Sequence, residues 1–139
     1  MTETDPTYWQ VHRVLGWSYE QKGQYEEAIA EFRKLIDLSG ASSDIANLAH
    51  AYAISGNKEE ARRQIGALEA LPRGRYVSPY LIAYIHAGLG ESDQAFAWLY
   101  KAYEERTAAL IWLKANPRFQ GLRSDPRFAD LVRRIGLPP

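Results

Sequence analysis

Leu15-Gly16-Trp17-Ser18-Tyr19-Glu20-Gln21-Lys22-Gly23, followed by Ala28, Phe32 and Leu35, is the stretch from which the fold can be read. The pattern returns as Leu48-Ala49-x-x-Tyr52-x-x-x-Gly56 with Ala61, Ile65 and Leu68, every partner 33 positions further on. A third copy, Ile82-Ala83-x-x-His86-x-x-x-Gly90 with Ala95, Leu99 and Ala102, follows 34 positions after the second. A period of this length marks stacked supersecondary units, each too small to bury both of its faces alone. The sequence therefore predicts an all-α solenoid, an architecture that holds partners rather than transforming substrates.

Within each copy the apolar residues recur at helical spacing, and a glycine-containing break divides them into two helices. The spacing predicts helix A over residues 8–21, 44–55 and 79–88, and helix B over 25–39, 58–71 and 92–105. Asp44 is placed to cap the second helix A, Ser78-Pro79 supplies a cap followed by proline at the first helical position, and Ser92 and Asp93 suit the start of the third helix B. Gly16, Ala49 and Ala83 on helix A and Ala28, Ala61 and Ala95 on helix B are small where two antiparallel helices must approach closely. Leu15, Leu48, Tyr19, Tyr52, Phe32 and Leu35 are expected to fill the volume between those helices and the next pair.

The bulk numbers agree with one globular domain. The chain has 139 residues, of which 46% are hydrophobic and 24% charged. No run approaches the roughly 18 apolar residues of a membrane span, and Met1 to Gln10 lacks a basic segment with an apolar core behind it, so a cytoplasmic protein without membrane association is expected. The absence of cysteine removes disulfides, thiolate metal sites and cysteine nucleophiles. Net charge is zero, but residues 1–106 carry 11 Lys and Arg against 15 Asp and Glu, whereas residues 107–139 carry 6 against 2. This balance argues against nucleic-acid binding, which needs a concentrated basic surface. The basic tail is instead complementary to the acidic repeats.

The three copies resemble the tetratricopeptide repeat, whose signature runs W-x2-L-G-x2-Y, then A-x3-F, then P, over 34 residues. In the first copy His12 takes the Trp place and Gly40 the Pro place. The second departs at Ile45, Ala49 and Ile65, with Pro72 one residue early, and the third at Pro79 and His86. The resemblance implies a right-handed superhelix with repeats at about residues 9–41, 42–75 and 76–109 of a single domain spanning residues 1–139. Asp5-Pro6-Thr7-Tyr8 resembles the end of a preceding repeat, so the chain is expected to be cut from a longer one. After the repeats, Asn116-Pro117-Arg118-Phe119-x-x-Leu122 recurs nine residues on as Asp125-Pro126-Arg127-Phe128-x-x-Leu131, each copy offering a cap followed by proline. Two short helices are expected there, as part of a cap over residues 107–135. This tail resembles the closing segment of bacterial tetratricopeptide regions attached to winged-helix, kinase or cyclase domains. An alternative role as a sensor or oligomerisation segment of such a regulator follows from it.

No constellation of side chains points to catalysis. His12 and His86 fall at positions that pack between helices, His50 falls on the concave face, and no carboxylate stands beside any of them at a ligand-like spacing. Glu26-Glu27 and Glu59-Glu60 each open a helix B, where negative charge suits the helix dipole. Gly88-Leu89-Gly90 is an inter-helix turn without the Lys-Ser/Thr of a phosphate loop. No enzyme activity, cofactor or metal is expected. What remains is a surface.

The resemblance implies that helix A lines a concave groove. The candidate peptide-binding residues are Gln10, Arg13, Trp17 and Glu20 in the first repeat, Asn47 and His50 in the second, and Tyr80 and Tyr84 in the third. Trp17, Tyr80 and Tyr84 are large groups with polar tips, the types that dominate binding hot spots. Relatives that clamp the carboxylates of chaperone tails use five polar positions. Arg13 and Asn47 match two of these, whereas Trp17, Val77 and Leu81 depart from the rest, so that mode is not expected. The expected partner is a protein or peptide, with homo-oligomerisation left open.

Overall fold

The computed structural model describes residues 6–71 and 77–137. Among the described residues every regular element is helical. Six α-helices, α1 (Pro6–Gln21), α2 (Tyr25–Ser39), α3 (Ser42–Ile54), α4 (Lys58–Glu69), α5 (Pro79–Gly88) and α6 (Ser92–Glu104), form three consecutive packed pairs. Two 3-10 helices, η1 (Ala108–Trp112) and η2 (Pro117–Leu122), and a last α-helix, α7 (Pro126–Ile135), complete the chain. This is an all-α helical-repeat fold of the tetratricopeptide type. The chain divides into two compact units, Met1–Val77 and Ser78–Pro139.

One backbone device shapes each pair. Gly23, Gly56 and Gly90 adopt φ of 79°, 94° and 77°, in the left-handed region that a Cβ disfavours. Just past each, an N–H reaches back to a carbonyl five residues earlier: Gln24 to Tyr19 at 2.9 Å, Asn57 to Tyr52 at 2.9 Å and Glu91 to His86 at 3.0 Å. These closures end helix A and aim the chain into helix B. The same closure ends α7 at Gly136 and ends α6 at Arg106, which stands at φ 56° where the others have glycine.

In the first unit α1 packs on α2, α2 on α3 and α3 on α4. Ala28 and Ala61 are fully buried at the pair crossings, as are Ala46 and Ala49 of α3. A Cβ built on Gly16 would lie 2.7 Å from Cε1 of the buried Phe32 ring, which explains the glycine inside a helix. Two expectations are corrected. Leu15 does not fill an inter-pair space: it is 38% exposed, because no described helix stands before α1, whereas its counterpart Leu48 has α2 in front of it and is buried. Asp44 does not cap α3, which begins two residues earlier at Ser42 with Ala41 at the cap position. The predicted end of α4 near residue 71 shortens to Glu69, and Pro72 lies outside the described residues.

In the second unit α5 packs on α6, η2 covers α5 and α7 covers α6. Leu110, Leu113, Phe119, Leu122, Phe128 and Leu131 of the tail are all buried. Ser78 accepts from the Tyr80 N–H, with Pro79 at the first helical position. Asn116 and Asp125 cap their helices in the same way, accepting from the N–H of Arg118 at 3.0 Å and of Arg127 at 2.9 Å. Only the second copy becomes an α-helix. It carries Asp130, which pairs with Arg133 and Arg134 one turn on, where the first carries Gly121.

Candidate binding surface

The outward face of α1 combines polar and apolar groups. Gln10 and Trp17 are exposed, Trp17 by 43%, and Val14, between them, is 60% exposed. The inward face carries charge that is used internally. Nε and Nη2 of Arg13 each donate to the Asp44 carboxylate at 2.8 Å, and the Ser39 hydroxyl donates to the same carboxylate at 2.7 Å. Asp44 is completely buried, so this fork fixes α1 to the first turn of α3. The hydrogen bond to Asp44 raises the pKa of Arg13 above its ordinary value. Two turns further on, Glu20 Oε1 meets His50 Nδ1 at 2.7 Å, and both residues are 3% exposed. Asn47 lies half-buried on α3, between Asp44 and His50 in sequence.

Arg13, Glu20 and His50 therefore do not face an open groove. They hold α1 on α3. Tyr80 and Tyr84 also depart from the expected placement, being 5% and 3% exposed. The Phe119 ring of η2 lies edge-on to both, with centroids 5.3 Å from Tyr80 and 6.5 Å from Tyr84. Asn116 Nδ2 donates to the Tyr80 hydroxyl at 2.9 Å, and the Arg118 guanidinium stands 4.6 Å from the Tyr84 ring centre. Burial of the Tyr80 phenol raises its pKa, against the opposing effect of the Asn116 bond. The tail thus occupies the α5 face that was expected to be open.

Every histidine meets a glutamate: His12 with Glu31 across α1 and α2, His50 with Glu20 across α3 and α1, and His86 with Glu91 across the α5–α6 turn. The sequence reading missed these pairs because residue separations of 19, 30 and 5 match no ligand spacing. Each contact orients its ring. Among the described residues no group of three His, Asp or Glu side chains could hold a metal ion. None of their helices is long and apolar enough to cross a membrane.

Residues 9–41, spanning most of α1 and all of α2, match the family model of the tetratricopeptide repeat. This stretch is similar to a tetratricopeptide repeat. Repeats of this family are generally protein-interaction modules and typically non-catalytic scaffolds. The repeat contains Gln10, Arg13, Trp17 and Glu20, the first four candidate residues. No curated protein and no solved structure matches the chain.

Proposed function

We propose that the chain is a protein-binding module that engages a peptide or protein partner through the outward face of α1, with Trp17 as the anchor. The observation that carries this reading is the exposure of Trp17, a large aromatic with a polar N–H, beside Val14 and Gln10. A tryptophan that becomes desolvated on a partner is the commonest kind of hot spot. Arg13, Glu20 and His50 serve this surface by fixing α1 on α3, and Tyr80 and Tyr84 serve the cap. The module works without catalysis or a cofactor, in the cytoplasm, and takes neither nucleic acid nor membrane as its partner. Residues 42–75 and 76–109 are read as further repeats of the same type, closed by the segment 107–135.

Immobilised full-length chain and its Trp17→Ala variant, each presented to a lysate of the source organism, test the reading. A protein retained by the first and lost by the second is then titrated by calorimetry. The substitution should weaken it by at least about 2 kcal/mol at unchanged helicity. Equal affinity of the two chains would overturn the assignment.

A second reading, as a self-association segment of a larger regulator, draws on Val11 and Leu15, which are 41% and 38% exposed along the side of α1 away from α2. Sedimentation equilibrium decides it. A mass that rises with concentration and is lost in Leu15→Glu supports it, and a monomer throughout removes it.

A further inference from the structure

The end of α6 departs from a rule that the equivalent turns obey. Where Gly23, Gly56, Gly90 and Gly136 close their helices in the left-handed region, Arg106 does so at φ 56°, the one non-glycine residue with positive φ among those described. The closure itself is intact, with the Thr107 N–H donating to the Ala102 carbonyl at 3.0 Å. A side chain retained at a position that favours glycine is a conformational cost without local compensation, and such outliers gather where a side chain has a task.

Arg106 lines a cavity of about 360 Å³ between the end of α6, η1 and α7. Arg134 faces it from α7. Arg134 is held through Nε on Asp130 Oδ2 at 2.8 Å, which leaves its Nη groups for another acceptor. Among the described residues no carboxylate pairs with Arg106. The hydroxyl of Thr107 is buried without a hydrogen-bond partner, a state that buried polar atoms rarely hold. The Tyr103 ring, Leu110 and Ile135 supply the apolar part of the wall.

We infer that this cavity binds a small organic anion, a carboxylate or phosphate monoester carrying a short apolar group. Two guanidinium groups supply charge-assisted donors to the anionic head, and Leu110 and Ile135 cover the apolar part. The volume falls in the range of about 300–1,000 Å³ usual for small-molecule sites. The inference is independent of the partner surface on α1, which lies in the other compact unit.

The test is an NMR titration of the full-length chain with phenyl phosphate, benzoate and benzyl alcohol as probes. Saturable shifts of the amides from Arg106 to Leu110 and at Arg134 and Ile135 are expected with an anionic probe, and none with the alcohol. Which anion binds more tightly distinguishes a phosphate from a carboxylate ligand. Arg106→Gly removes one cation and also relieves the left-handed residue. It should therefore melt no lower than the parent while its Kd rises at least about ten-fold, and Arg134→Gln should weaken binding to a similar extent. Three outcomes overturn the inference: no saturable response to either anion, an equal response to the alcohol, or undiminished affinity in both variants.

Discussion

Gly16 and Phe32 are in contact at the limit of what backbone and ring allow, since a Cβ on Gly16 would stand 2.7 to 3.0 Å from three atoms of the ring. Phe32 has no exposed surface and α2 is pinned on its other side by α3, so the ring has little room to retreat. Gly16→Ala gains helix propensity worth about 1 kcal/mol but overpacks a full core at about 1 to 3 kcal/mol, for a net loss of stability. Gly66 in α4 makes the contrast, because a Cβ there meets nothing within 4 Å. Gly66→Ala should stabilise by about 0.5 to 1 kcal/mol. Urea midpoints of the two variants should move in opposite directions, and a shift of the same sign would mean that the α1–α2 crossing is looser than described.

Phe119 tests whether the tail is part of the core. Its ring is wholly buried against Tyr80 and Tyr84, so Phe119→Ala should cost about 3 to 5 kcal/mol and weaken the near-ultraviolet signal of the tyrosines. Removal of residues 107–139 should expose Tyr80, Tyr84 and Phe96 together and drive aggregation. A soluble, monomeric 1–106 fragment with a cooperative melt would show that the tail is an appendage.

The second unit should lose stability at both ends of the pH scale. Asp125 is held below the ordinary carboxylate range by hydrogen bonds from the Arg127 side chain and backbone, and Asp130 by the bond from the Tyr100 hydroxyl and by Arg134 and Arg133. With folded pKa values below the unfolded value of about 3.9, their contribution is complete above that pH and is lost as pH falls through the folded values. Tyr80 and Tyr100 are raised, chiefly by burial, so their contribution is complete below about pH 10 and is lost as pH rises through the folded values. Thermal melts against pH should show both limbs. Asp125→Asn with Asp130→Asn should flatten the acid limb, and an unchanged limb in that double variant would assign acid sensitivity elsewhere.

What the sequence made legible was local or periodic. Gly23, Gly56 and Gly90 announced their turns because a left-handed residue needs glycine, and Ala28, Ala61 and Ala95 announced the crossings because only a small side chain fits there. Asn116 and Asp125 were readable as caps because the cap and the N–H that donates to it lie two residues apart. Contacts across long separations were not readable. Tyr80 and Tyr84 have the composition of an open binding surface, and only the return of Phe119 from more than 30 residues away closes it. Arg13 has the character of a ligand-binding cation until Asp44, 31 residues on, takes its Nε–Nη2 edge.

The one-sided covering of α1 carries a thermodynamic consequence. A helix packed on α2 and tied to α3, with its other side open to solvent, should exchange its amides through openings that leave α3 and α4 closed. Val11, Val14, Leu15 and Trp17, all exposed, lie on that helix. Whatever docks there therefore covers the open side of α1, and its binding should slow amide exchange not only under the footprint but along α2, which opens when α1 does.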